Sequence, residues 1–131
     1  MKNNAERIFC TALQKWCIHN LNKSTAIEAK ICKEKKFYYR NIASHQVSNL
    51  YNSKHQKIIY KISDFDSMTQ KPFDIFMLCK SDAYIALMFI KPRNKKFYLI
   101  DIDRIIDDMK AGNNGLDEER AKILGLNCEL K

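Results

Sequence analysis

The chain has 131 residues, 46% of them hydrophobic and 29% charged, which is the length of one ordinary domain with a globular composition. Its three glycines, Gly112, Gly115 and Gly125, all fall in the last twenty residues, so a P-loop and a dinucleotide fingerprint are both excluded: each needs several glycines to bring backbone N–H groups against phosphate. The net charge of +8 is unevenly spread. Residues 1–62 carry twelve Lys/Arg against three acids (Glu6, Glu28, Glu34), a net of +9, whereas residues 63–131 carry eleven against twelve, a net of −1. Such a surface suits a polyanion, nucleic acid above all; a basic surface that only aids solubility is the plain alternative.

In chain order, Ala5 to about Asn20 places Ile8, Phe9, Ala12, Leu13, Trp16 and Cys17 at helical spacing, with Glu6, Arg7, Gln14 and Lys15 toward the polar edges. After a polar turn at Asn20–Lys23, Ser24–Cys32 reads as a strand with Ala26, Glu28, Lys30 and Cys32 on one face and Thr25, Ile27, Ala29 and Ile31 on the other. Basic Lys33–Lys36 leads into the extended or loop-like aromatic run Phe37-Tyr38-Tyr39-Arg40, and Ser44 is placed to cap a short helix running to about Asn52. Lys57–Ile62 reads as a strand and Ser63–Lys71 as a loop. Phe73–Cys79 and Ala83–Ile90 read as a hairpin turned at Lys80-Ser81-Asp82. A turn at Lys91–Lys95, a strand Lys96–Ile102, a helix Ile102–Met109, a glycine-bearing loop Lys110–Leu116 and a helix Asp117–Leu124 stopped by Gly125 complete the chain. The order αβαββββαα predicts a single domain, residues 1–131, of mixed α/β or α+β class on one central sheet.

Five cysteines, odd in number and without a Cys-x-x-Cys pair, suggest neither a disulfide framework nor a zinc ribbon, and most are expected as buried, reduced thiols. The strongest apolar stretch, Ala83–Ile90, is too short to span a bilayer, and the amino end opens on polar residues, so a cytoplasmic location is expected.

Three groups of residues suggest chemistry. Glu28 and Lys30, two apart on a strand, project from the same face, where a carboxylate can hold a divalent cation while an ammonium reaches the same phosphate. The alternative is a solvent-facing pair on an edge strand. Asp74, in Pro72-Phe73-Asp74 at a strand start, is either a second metal-binding carboxylate or a turn residue. Gln46, beside His45 at a helix start, can orient a water or a phosphate, or be an exposed amide. The three histidines, His19, His45 and His55, are too scattered for a zinc site. Asp101, Asp103, Asp107 and Asp108 lack calcium-loop spacing and read as a strand-end cap and a solvated helix face.

In order, the helix carrying Glu6, the strand Thr25-Ala26-Ile27-Glu28-Ala29-Lys30, the segment Phe37–Ile42 and the helix bearing His45-Gln46-Val47 resemble the PD-(D/E)xK nuclease superfamily, particularly its Holliday junction resolvase branch. Gln70–Phe76, Ala83–Leu87, Phe97–Asp103 and Leu116–Ala121 extend the similarity to small phage and prophage nucleases of this kind, over nearly the whole chain. The resemblance implies a restriction-endonuclease-like fold and a metal-dependent endodeoxyribonuclease using Mg²⁺ or Mn²⁺ on DNA, with branched DNA as a substrate class and a homodimer to present two sites to two strands. It also implies roles. Glu28 and the Ala29 carbonyl would be metal ligands, Lys30 would orient water or stabilise developing charge, Gln46 would assist, and Glu6 would stand at the edge. The superfamily's usual aspartate before Glu-x-Lys is missing from the interval Asn20–Ser24, so Asp74 is expected as a migrated ligand; without it, a catalytically inactive DNA-binding or inhibitor protein of the same fold is the alternative. Lys33, Lys35, Lys36, Arg40 and His45 would meet DNA, with Tyr38 and Tyr39 on sugar or an unpaired base.

Overall fold

The structure is a computed structural model that describes residues 3–63 and 71–130. Helix α1 (Asn4–Asn20) opens the chain, its N-terminus capped by Asn3, whose side-chain oxygen accepts from the Glu6 N–H at 2.9 Å. It is followed by β1 (Thr25–Cys32), β2 (Lys36–Tyr38), a 3₁₀ turn at Tyr39–Asn41, α2 (Ser44–His55), β3 (Lys57–Lys61) and β4 (Ile75–Cys79). The chain continues through β5 (Asp82–Phe89), β6 (Lys96–Asp101), α3 (Ile102–Lys110), β7 (Gly115–Asp117), α4 (Glu118–Leu124) and β8 (Leu126–Glu129). The class is mixed α/β on a mixed central sheet, as the order of elements implied.

That sheet runs β1-β5-β6-β8. β1 and β5 are parallel, with Glu28 opposite Ile85 and Lys30 opposite Leu87, while β5–β6 and β6–β8 are antiparallel. Parallel neighbours need a crossover, and the segment from β2 to β4 supplies it, α2 included. Strand alternation sorts the β1 side chains between two cores. Ile27, Ala29 and Ile31 pack with Phe9 and Leu13 of α1, whereas Ala26 and Cys32 join Ile42 and Leu50 on the α2 side. β5 is buried almost throughout because helices cover both of its faces.

The expected hairpin between Phe73–Cys79 and Ala83–Ile90 does not form. β4 pairs with β3, Tyr60 opposite Phe76, in a separate two-stranded sheet, and the chain then enters β5 through Lys80, whose φ is +43°. A continuous apolar run such as Ala83–Ile90 gains more from a central position between β1 and β6 than from an edge pairing. β8, with no counterpart among the expected elements, closes the far side of the sheet beyond β6. Part of the aromatic run is strand β2, paired with β7 so closely that a Cβ on Gly115 would stand 2.2 Å from the Phe37 carbonyl oxygen. The start of α2 also differs by one residue: Ala43, not Ser44, is the cap residue. Of the expected loop Ser63–Lys71, residues 64–70 lie outside the described residues. All five cysteines are free, but only Cys32 is buried, and Cys79 on the exposed hairpin is open to solvent.

Two expected surface groups are buried together. Asp108, expected on a solvated helix face, is 5% exposed, and Tyr39, expected on DNA, is equally buried. The Tyr39 hydroxyl donates to Asp108 Oδ2 at 2.5 Å, while Arg120 Nη2 and Asn113 Nδ2 each donate to Oδ1 at 2.8 Å. A phenol tip that reaches a carboxylate satisfies the polar end of an otherwise apolar ring, which is why Tyr39 turned inward. Burial pushes the Asp108 carboxyl up, but the hydrogen bonds from Tyr39, Arg120 and Asn113 and the Arg120 charge outweigh it, and the net shift is below the ordinary carboxylate range. Asp101, by contrast, is the strand-end cap expected: Oδ1 accepts from the Asp103 N–H at 2.8 Å. No described helix is long and apolar enough to cross a membrane.

The Asp108 cluster sets a pH dependence. A carboxyl whose pKa is depressed by folding stabilises the native state above its unfolded pKa, and that contribution disappears as pH falls through the folded value. Tyr39→Phe should therefore lower stability near neutral pH by about 1.5–3 kcal/mol, the worth of a hydrogen bond to a charged group. In urea titrations the gap between variant and wild type should narrow as acid protonates Asp108. A Tyr39 that served only as a DNA contact would leave the urea midpoint unchanged.

Candidate functional site

The site is built by strand alternation on β1 and by the entry of α2. Glu28 and Lys30 share the α2 face of the strand, as expected, and both are half-buried. α2 begins at Ser44, so Gln46 falls on its first turn. Gln46 is held at both ends of its amide. Its Oε1 accepts from the Ala43 N–H at 3.0 Å, the reach-back bond of a capping box, and its Nε2 donates to Glu28 Oε1 at 3.0 Å. An amide with one fixed acceptor has one fixed donor, so the helix cap aims the NH₂ group at the carboxylate. Gln46 is thus neither an exposed amide nor a distant auxiliary: it touches Glu28 directly.

A cleft of about 280 Å³ opens around this pair, lined by Ala26, Glu28, His45, Gln46, Asn49 and Tyr60 among others. His45 is exposed at its mouth. Tyr60 comes from β3 and was not anticipated. In sequence it is one residue of a β-rich run, with no signal that the β3–β4 hairpin folds back beside α2. Asn49 and Ser53 follow Gln46 on the same helix, and their part in the cleft depends on the helix's rotation, which the apolar pattern Val47, Leu50, Tyr51 fixes only loosely.

The remaining site residues divide. Ala29 sits with its side chain buried on the α1 face, and its strand is an edge of the described central sheet, where alternate peptide groups turn away from the neighbouring strand. Glu6 is on the first turn of α1, the helix covering the Ala29 face, and so on the side of the sheet opposite Glu28. Asp74 is not a lining residue of the cleft. Its side chain is 80% exposed and ion-paired with Lys71 at 2.7 Å, and its carbonyl accepts from the Ile62 N–H. It does precede Phe76, the cross-strand partner of Tyr60, by two residues. Among the described residues no group of three or more His, Cys, Asp and Glu side chains is arranged to hold a metal ion; Asp64 and Asp66 belong to residues 64–70 and lie outside them.

The basic segment stands next to the cleft in sequence and stays on the surface. Lys33 and Lys35 are exposed in the bend between β1 and β2, and Lys36 begins β2. Tyr38 already has cationic company: the Arg40 guanidinium lies 4.6 Å and the Lys36 ammonium 5.4 Å from its ring centroid. The ring therefore gathers two cations at the surface. Of the two tyrosines expected on DNA, Tyr38 remains at the surface with these cations, and Tyr39 is removed to the core.

A second polar network lies at the other end of α2. Lys54 bridges Asp101 and Asp103 at 2.8 and 2.7 Å, and His55 Nε2 lies 2.9 Å from Asp103. These contacts tie α2 to the start of α3 and so fix the axis along which Gln46 approaches β1.

The Gln46–Glu28 contact makes a charge-sensitive prediction. Gln46→Glu would set two carboxylates at hydrogen-bond distance, where they cannot both ionise without repulsion, so at least one pKa of the pair rises. The sign is opposite to that at Asp108. The variant should match wild type in mildly acidic solution, where the pair shares a proton, and lose about 1–3 kcal/mol as pH rises past neutrality, read from urea midpoints at the two pH values. Equal midpoints for variant and wild type at high pH would show that the two side chains do not meet.

No protein-family model matches the chain, and no curated protein matches it.

Proposed function

We propose that the chain is a metal-dependent endodeoxyribonuclease that hydrolyses DNA phosphodiesters at the Glu28 cleft, with branched DNA as a substrate class and a restriction-endonuclease-like core. The observation that carries this reading is the Gln46 Nε2–Glu28 Oε1 contact of 3.0 Å, which joins a helix-borne glutamine to the carboxylate of Glu-x-Lys across eighteen residues of sequence. A glutamate and lysine that merely decorated an edge strand would have no need of an amide clamped by a helix end.

The residues have separable tasks. Gln46 holds one oxygen of the Glu28 carboxylate, fixing its rotamer before substrate arrives. Lys30, two residues on and on the same face though not among the residues that line the cleft, would bring a positive charge to a phosphate that gains negative charge in the transition state. Lys33, Lys35 and Arg40 add the nonspecific attraction that draws the DNA backbone to this side of the domain. Mg²⁺ suits such a place, because it takes hard oxygen donors, keeps several waters and is often held by one or two carboxylates plus substrate phosphate. Glu28 would hold it, with the Ala29 carbonyl beside it; Asp74, exposed and paired with Lys71, does not line the cleft. Once bound, the ion would supply Lewis acidity at the scissile phosphate.

A second reading is favoured by one observation, the exposure of Asp74 and its pairing with Lys71. In that reading the chain binds DNA without cutting it. The two are separated by incubating supercoiled and four-way-junction DNA with the protein and Mg²⁺ or Mn²⁺. The nuclease reading predicts cleavage that falls by about 100-fold or more in Glu28→Ala/Lys30→Ala, since the pair supplies both ligand and charge. Equal cleavage by variant and wild type would refute it. Salt-sensitive binding without cleavage, unchanged by Glu28→Ala, would establish the second reading.

A further inference from the structure

The sheet face turned away from Glu28 carries a larger groove. It runs along the outer side of α1 to Glu129 at the end of β8 and encloses about 640 Å³, within the range of ligand-binding clefts. Two stripes of α1 line it. Arg7, Thr11, Lys15 and His19 succeed one another every four residues, a rise of about 6 Å per step. Ile8, Ala12 and Trp16 form the parallel apolar stripe one position on.

The apolar stripe is unusual for a helix that packs on a sheet. Its buried contacts are made by Phe9 and Leu13, yet Ile8 is left 64% exposed on the groove side. Trp16 is half-buried, its ring held at 86° to Phe97 with centroids 5.0 Å apart, so its orientation is set by the core. Glu129 is the one carboxylate among the lining residues, against Arg7, Lys15 and His19. An aromatic and aliphatic strip beside two cations, Arg7 and Lys15, has the two elements by which proteins hold a single nucleic-acid strand: bases lie against the ring and the aliphatic surface, and backbone phosphates meet the cations. A duplex keeps its bases stacked inside and has no use for Ile8 and Trp16.

We infer that the α1 groove binds single-stranded DNA, at a place distinct from the Glu28 cleft. The inference rests on the reading of the chain as a DNA-acting protein and adds a strand-holding surface on the opposite face of the same sheet. An acidic, apolar peptide would meet the same charges. Arg7 and Lys15, however, stand eight residues, or about 12 Å, apart along the strip that holds Trp16, so a strand with a base against the ring can set backbone phosphates against both.

Trp16 is the chain's only tryptophan, so its emission reports on this groove alone. A short oligothymidine titrated into the full chain at low salt should quench that emission, and added salt should reverse the effect. Arg7→Glu/Lys15→Glu should weaken the oligothymidine by about tenfold or more. The same variant should still retard duplex DNA through Lys33, Lys35 and Arg40. Ile8→Asp, at a site already exposed, should weaken the oligothymidine without lowering the melting temperature. Unaltered emission in a protein that retards duplex DNA would overturn the groove while sparing the DNA reading. Quenching that survives the double charge reversal would overturn it as well. Emission that responds to an acidic apolar peptide and not to oligothymidine would assign the groove to a protein partner, and failure to bind DNA of any kind would remove the DNA reading itself.

Discussion

The parallel pairing of β1 with β5 is the constraint on which this molecule is built. Two parallel neighbours cannot be joined by a tight turn, so about fifty residues must leave the sheet after β1 and return before β5. That excursion contains the basic segment, α2 and the β3–β4 hairpin. The same pairing makes β1 two-sided, with Ile27, Ala29 and Ile31 committed to α1 and the alternate residues presented to α2. Glu28 is therefore polar at a position that strand geometry places beneath a helix. Carrying a carboxylate there is costly unless something donates to it, and Gln46, aimed by its own role at the helix end, is one group that does.

Charge follows the same division. The lysines of the β1–β2 bend and Arg40 lie just beyond the strand that carries Glu28, whereas the acids of the second half are largely consumed by internal contacts. Asp101 and Asp103 receive Lys54, Asp108 receives Tyr39, Asn113 and Arg120, and Glu118 receives Tyr98 and Lys91. These carboxylates of the near-neutral half are thus part of its scaffold. Its acids hold α2, α3 and α4 against the sheet, and much of the positive excess of the first half is left at the surface, in the β1–β2 bend and along α1. Scarce glycine has a related meaning: Gly115 allows β2 and β7 to meet, which anchors the end of the basic segment.

The sequence was most legible where side-chain period and burial coincide. α1, β1, β6 and α3 emerged from apolar spacing with little error, and the alternation of β1 already put Glu28 and Lys30 on one face. It was least legible where pairing partners are chosen over a distance. Phe73–Cys79 and Ala83–Ile90 are both apolar runs joined by a short turn, and nothing local says that the first pairs backward with β3 while the second takes the centre of the sheet. The same limit hid the inward turn of Tyr39, because its partner Asp108 is sixty-nine residues away. It also hid the place of Tyr60 in the cleft. Gln46 was legible as a residue but not as a contact, since the aim of its amide depends on α2 starting one residue after Ala43.

Glu28, clamped by Gln46, is where we propose that this chain takes a divalent cation for work on DNA. The most direct measurement is the paramagnetic broadening of backbone amide resonances by Mn²⁺, added at low ratio to ¹⁵N-labelled protein. The account predicts that the amides around Glu28 and Gln46 broaden first and that Glu28→Gln abolishes this. Broadening centred instead on Asp101 and Asp103, or broadening near Glu28 that survives Glu28→Gln, would contradict it.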